Sequence, residues 1–195
     1  MSKVLLNISM SLDGFIAGPN IRPEEPLGDQ GERLHEWMFE GGKTDEAPEE
    51  LQTAFFVNTG TYIMGKRTFN LGLEPWGENP PFHAPCFVLS DEPCETITRQ
   101  GGTSYIFVTV GIESALKQAQ EAAGSKDVVI MGGADAAQQY LNACLLDEIY
   151  IHLVHVLLGS GTRLFDKLTI QPTKLEAIAV ANRPNITHLK FRVRQ

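Results

Sequence analysis

The chain has no apolar run approaching the ~18–20 residues needed to cross a bilayer, so no membrane-spanning helix is expected. Its start lacks a basic stretch followed by a long apolar one, so no signal peptide is expected there. The three cysteines, Cys86, Cys94 and Cys144, are odd in number and form no C-x-x-C pair. That excludes a disulfide framework and fits reduced thiols in a cytoplasmic protein. Motifs that decide function alone are also missing. No G-x-G-x-x-G follows a strand pattern, Gly65–Lys66–Arg67–Thr68 lacks the upstream glycine of a Walker loop, and there is no G-x-S-x-G nucleophile turn. His152 and His155 are three apart on an expected strand, hence on opposite faces, and His35, His83 and His188 have no close partner at ligand spacing. No metal is expected. Bases are in deficit: the formal net charge is −8, which argues against nucleic acid as the main partner. The imbalance is uneven, with eleven acids against four bases in residues 1–50 and two against seven in residues 163–195. The basic C-terminal strands read as solvated sheet edges.

What is present is a chain of 195 residues with 43% hydrophobic content, enough for one domain over residues 1–195 with a sizeable core. Residues 3–9 form a near-continuous apolar run, the pattern of a strand buried on both faces. Phe15–Ile16–Ala17 is a short second apolar segment after an Asp13–Gly14 turn. A short amphipathic helix is expected over residues 31–40, with Trp37 in the core or a pocket wall, and another from Pro48 to about Val57. The acidic loop between them, residues 43–50, has the character of a lid. Strands are expected near residues 61–65, 85–90, 105–108 and 127–131, helices over residues 112–123 and 134–142, and a Gly/Pro-rich loop over residues 71–82. The repeated strand–loop–helix order predicts a mostly parallel sheet with helices on both faces. Later, residues 147–156, 175–180 and 187–193 read as strands, the last two joined by a turn at Asn182–Arg183–Pro184–Asn185. Antiparallel strands added to a parallel core give a mixed sheet. The fold class expected is α/β, three-layered α/β/α.

Two places carry candidate chemistry. Val128 to Met131 runs into Gly132–Gly133 and then a helix, leaving backbone N–H groups that a phosphate can approach; the same pattern also serves as an ordinary strand-to-helix turn. Tyr62–Ile63–Met64 likewise runs into Gly65–Lys66–Arg67–Thr68. Two cations at a helix N-terminus oppose the helix dipole unless an anion sits between them; otherwise they are two solvated bases. Asp13, at the end of the first strand, is either a turn former bonding nearby backbone or a ligand-contacting carboxylate.

The ordered set Met10–Ser11–Leu12–Asp13–Gly14–Phe15–Ile16–Ala17, Met64–Gly65–Lys66–Arg67–Thr68–Phe69, Ile130–Met131–Gly132–Gly133–Ala134 and Leu157–Leu158–Gly159–Ser160–Gly161–Thr162–Arg163–Leu164–Phe165 resembles the dihydrofolate-reductase-like superfamily. Within it, the resemblance is to the branch of the C-terminal reductase domain of the bacterial riboflavin-biosynthesis protein. The resemblance implies an NADPH-dependent reductase, cytoplasmic and homodimeric, acting on a small heterocyclic or phosphoribosylamino-pyrimidine substrate. By matching positions, Gly65, Lys66, Arg67 and Thr68 would hold the adenosine phosphates, with Lys66 and Arg67 favouring the 2′-phosphate. Leu89, Ser90 and Asp91 would line the adenine end, and Gly132, Gly133, Ala134 and Asp135 would receive the pyrophosphate. Ser9 and Ile16 would border the nicotinamide; Asn7, Asp13 and Trp37 would face the substrate, with Asp13 as polar contact or proton relay. The chain departs from the folate reducers in carrying His35 where they have an acid four residues before a phenylalanine, here Phe39. It departs from the riboflavin branch in having His155–Val156 where proline is frequent. Dihydrofolate reduction and nucleotide binding without turnover are the alternative expectations.

Overall fold

The structure, a computed structural model, describes residues 2–38, 58–170 and 172–194. The strands in chain order are β1 (Val4–Ser11), β2 (Phe15–Ala17), β3 (Thr59–Gly65), β4 (Pro85–Leu89), β5 (Ile97–Thr98), β6 (Ser104–Val108), β7 (Asp127–Ile130), β8 (Glu148–Val154), β9 (Thr162–Arg163), β10 (Lys174–Asn182) and β11 (Ile186–Arg194). The α-helices are α1 (Lys66–Trp76), α2 (Ile112–Ala123) and α3 (Ala134–Asn142). Among the described residues one nine-stranded sheet runs in the order β10-β11-β8-β1-β7-β3-β4-β6-β5, and β2 and β9 pair separately. The run from β8 through β6 is parallel, while β11, β10 and β5 pair antiparallel. This is the mixed, mostly parallel sheet expected from the sequence.

Both faces of the parallel strands are covered, so their sequences are apolar throughout rather than alternating. On one face Val4, Leu6, Ile63, Val128 and Ile130 pack against Ala115, Leu116 and Ala119 of α2 and Ala137 and Tyr140 of α3. On the other, Leu5, Tyr62, Met64, Cys86, Val88 and Val129 meet Phe69, Leu73 and Trp76 of α1. Leu6 sits at the centre with no exposed surface.

Three expectations are revised. The expected loop over residues 71–82 is helical as far as Trp76, even though Gly72 and Pro75 lie inside it. Trp76 lies so close over Gly72 that a β-carbon there would collide with the indole, and the ring also packs on Phe82 and Tyr105. That packing outweighs the low helix propensity of both residues. Of the helix expected over residues 31–40, the described part, residues 31–38, is two 3₁₀ turns, Gly31–Leu34 and Glu36–Met38. Residues 162–163, where no strand is expected, form β9 and pair with β2, Arg163 in register with Phe15. The expected helix from Pro48 to Val57 and the acidic loop before it lie outside the described residues.

At the amino ends of the strands, Glu148 is buried between the ammonium groups of Lys3 (2.6 Å) and Lys190 (3.1 Å). Burial pulls this carboxyl up, but the hydrogen bonds from the two lysines outweigh it and its pKa is lowered. A group with a lowered folded pKa contributes stability above its unfolded value and loses it as pH falls through the folded value. Glu148→Gln is therefore expected to destabilise the fold at pH 7 by about 1–3 kcal/mol. Urea denaturation at pH 7 and below pH 4 checks this: the difference from the parent should shrink in acid.

Candidate functional site

Strand β7 lies between β1 and β3 but is held unequally by them. With β1 it shares three register pairs, ending at Leu6↔Ile130, while β1 continues alongside β8 to Ser11↔Val154. Toward β3 it stays bonded beyond its own end: Met131 N–H donates to Ile63 O (3.0 Å), and Gly65 N–H donates to Gly132 O (2.9 Å). The carboxyl ends of β1 and β7 therefore part beyond Leu6 and Ile130, beside the half-buried Asn7. Open α/β sheets bind ligands at such strand ends.

Both walls of the β3–β7 side end in glycine followed by a helix. Gly65 is the N-cap of α1 and Gly133 that of α3, and neither helix has a side-chain cap. Two uncapped helix starts thus stand at neighbouring strand ends, each with free N–H donors and a positive dipole end. The Gly132–Gly133 peptide is cis and Gly132 has φ +126°. A β-carbon at Gly133 would stand 3.2 Å from Thr68 Oγ1, and one at Gly65 would stand 3.9 Å from Gly133 N. Glycine keeps this cradle open. Leu89 is in register with Gly65 on β4, which puts Leu89, Ser90 and Asp91 at the next strand end. Ser90 Oγ donates to Glu92 O (2.7 Å) and closes its own turn.

The cations behave differently from each other. Lys66 Nζ lies 4.4 Å from the centroid of the Phe107 ring and 3.1 Å from Cys94 Sγ, so it leans over β6 and away from its helix start. Arg67 is exposed on the first turn of α1. At α3, Asp135 is an acid in the first turn, where the helix dipole favours it, and it meets Lys167 in an exposed pair at 3.2 Å.

The third part of the site rises on the face of β1 that carries Asn7 and Ser9. Ser9, His152 and His188 occupy one cross-strand row through β1, β8 and β11. His152 Nδ1 lies 2.7 Å from His188 Nδ1, and His152 Nε2 lies 2.9 Å from Asn7 Oδ1. Trp37 covers both rings at 4.9 and 5.2 Å, and its indole N–H is shared between Leu34 O (3.0 Å) and Ser9 Oγ (3.2 Å). Burial pulls His152 down to about 3, with help from His188 and His35. Burial also lowers His35, and burial with the Arg183 charge lowers His188. All three rings are thus held neutral at neutral pH. Beyond Trp37 a cavity of about 270 Å³ is lined by Arg33, Glu36, Val154, His155, Val156 and Asn185.

Asp13 stands apart from this row. Its carboxylate accepts hydrogen bonds from Ser11 Oγ (2.6 Å), Gly159 N (2.7 Å) and Leu158 N (3.2 Å), and Arg163 Nη1 donates to its carbonyl (3.0 Å). Burial raises this carboxyl slightly and the hydrogen bonds outweigh it, so its pKa is lowered. A carboxylate so committed clamps the β1–β2 turn to the 158–159 loop and is a poor proton donor near neutrality. Ile16 lies on β2, packed against the core. The sequence brought Asn7, Ser9 and Trp37 forward as site residues; it gave no hint of His152 and His188 as a pair, because 36 residues separate them and only the β8–β11 register joins them.

Comparison with known proteins fits this geometry. The model of the RibD C-terminal domain matches residues 81–189, just over half of the chain. The chain belongs to this family. Two curated relatives come from Bacillus subtilis (strain 168). The uncharacterized protein YwjB is 26% identical over 178 residues, covering 89% of this chain and 87% of YwjB. The uncharacterized protein YyaP is 23% identical over 169 residues, covering 84% and 80%. Among solved structures, one described as a riboflavin biosynthesis protein from Shewanella sp. PV-4 superposes with TM-score 0.74 at 21% identity, over 99% of each chain. Dihydrofolate reductase from Enterococcus faecalis, complexed with NADP(H), gives 0.62 at 14%, over 99% and 97%. A pyrimidine reductase-like protein from Corynebacterium diphtheriae gives 0.58 at 10%, over 100% and 92%. The fold is dihydrofolate-reductase-like, and family and fold together support a reductase-like role.

Removing the Asp13 clamp tests its anchoring role. Asp13→Ala is expected to cost about 1 kcal/mol at pH 7, discounted for partial exposure. The loss should fade as pH falls through the lowered Asp13 value, because the parent then loses the same carboxylate. Thermal melts of both proteins across pH 7 to 3 check it.

Proposed function

We propose that this chain is an NADPH-dependent reductase of a small heterocyclic substrate, closest to a 5-amino-6-(5-phosphoribosylamino)uracil reductase. The observation that carries this is the pair of uncapped, glycine-led helix starts joined by the Gly65 N–H to Gly132 O bond, beside the parted end of β1. The residues present fit a dinucleotide: the cradle is one that a β-carbon at Gly133 would narrow against Thr68. Gly65 to Thr68 and Gly132 to Asp135 would hold its phosphates, Leu89 to Asp91 its adenine end, and Ser9 and Ile16 the nicotinamide border. Lys66 and Arg67 would supply the preference for a 2′-phosphate. When bound, the cofactor supplies hydride to the substrate.

The chain's own residues orient and enclose. Trp37 and the Asn7–Ser9 face would wall the substrate, and Asp13 holds the turn that shapes the end of β1. The missing acid on the first helical segment, where His35 stands, favours a pyrimidine over dihydrofolate. It also leaves the proton to solvent or to the substrate's own groups. A cytoplasmic homodimer is the assembly expected with this reading.

Thermal shift with NADPH and with NADH, then loss of NADPH absorbance with the pyrimidine or with dihydrofolate, tests the proposal. Stabilisation by NADPH and oxidation with the pyrimidine alone are expected. No shift with either cofactor contradicts it. The double variant Lys66→Ala/Arg67→Ala should weaken NADPH binding about tenfold or more while changing NADH little, since phosphate pairs with cations contribute more than neutral contacts; equal losses remove the 2′-phosphate assignment.

A further inference from the structure

Beneath Trp37 the hydrogen-bonded line Asn7–His152–His188 has a direction. With the Asn7 amide turned so that Oδ1 faces His152, the oxygen accepts and the 2.9 Å contact goes with a proton on His152 Nε2. A neutral His152 then has a bare Nδ1, and the 2.7 Å contact requires the proton of His188 on its Nδ1. The line therefore runs His188 to His152 to Asn7. Its far end is the half-buried Asn7 amide, whose Nδ2 has no hydrogen-bond partner among the described residues. Reversing the two imidazole protons would turn the same amide round and present Oδ1 instead.

Building on the reductase reading above, we propose that His152 and His188 are positioning residues that hold the Asn7 amide with its Nδ2 donors toward the substrate. The chemistry so recognised is a hydrogen-bond acceptor on an uncharged ring, such as a lactam carbonyl or a ring nitrogen. A donor-only edge at this point would face the Nδ2 donors with no acceptor to meet, and leaving a buried polar group unpaired is heavily penalised. Among the described residues, the other titratable and charged groups acting on the pair are His35 on His152 and Arg183 on His188. Burial holds His35 neutral, and the Arg183 cation opposes protonation of His188. Trp37 closes the top of both rings and keeps water from competing for their nitrogens.

A merely structural pair and a positioning pair respond differently to two substitutions of nearly equal size. In His152→Gln the amide nitrogen stands where Nε2 stood and keeps the donor to Asn7; in His152→Asn it stands nearer Nδ1 and loses it. Proton–nitrogen spectra of the ¹⁵N-labelled protein report the imidazole tautomers and the Asn7 amide, and NADPH oxidation with 5-amino-6-(5-phosphoribosylamino)uracil reports turnover. Expected are the Nε2–H tautomer for His152 and an Asn7 amide signal shifted in His152→Asn but near the parent's in His152→Gln. In turnover, kcat/KM should fall about tenfold in His152→Asn and recover to within about threefold of the parent in His152→Gln, the size of one hydrogen bond. NADPH affinity should be unchanged throughout. Equal losses in both variants, an Nδ1–H tautomer on His152, or an Asn7 signal indifferent to His152→Asn each overturn the proposal. Absence of turnover in the parent protein counts against the reductase reading alone, and the tautomer and Asn7 signals then decide the histidine proposal by themselves.

Discussion

The short ladder between β1 and β7 is the constraint from which the site follows. Three register pairs tie these strands at their amino halves, after which β1 follows β8 and the chain beyond β7 follows β3. If the ladder ran on for the full length of β1, the half-buried Asn7 would be sealed inside a continuous sheet. Because it stops at Leu6 and Ile130, the sheet keeps a buried, fully paired half that supplies stability. Its parted half at the carboxyl ends supplies access.

The two sides of that opening differ in chemistry. Toward β3 and β4 stand backbone N–H groups, glycine and helix dipoles, an environment that suits anions and carries no side-chain specificity of its own. Toward β8 and β11 stand Trp37, neutral imidazoles and an amide, which suit an uncharged aromatic ring with defined donors and acceptors. A dinucleotide on the first side and a heterocycle on the second would meet at the end of β1. The Asp13 clamp fixes that end by tying it to the 158–159 loop.

Much of this was legible in the sequence where local pattern decides structure. The helices Ile112–Ala123 and Ala134–Asn142 fall where periodicity and glycine placed them, and the short apolar segment Phe15–Ala17 is a strand. The two glycine turns could be paired because each ends a buried run. What escaped depended on contacts between distant residues. Gly72 and Pro75 read as loop until Trp76 is seen packed across Gly72 against Phe82 and Tyr105. His188 reads as an isolated ring until antiparallel register sets it against His152. Asp13 read equally well as turn former or ligand contact, and the backbone N–H groups that commit it lie on a loop about 145 residues away.

The central claim is that the turns at Gly65 and Gly132–Gly133 form one site for one dinucleotide. Hydrogen–deuterium exchange with and without NADPH measures it directly. The account predicts that NADPH slows exchange together at residues 65–69 and 132–137, the first turns of α1 and α3, at the same ligand concentration. Protection of one turn without the other, or of neither, would contradict it.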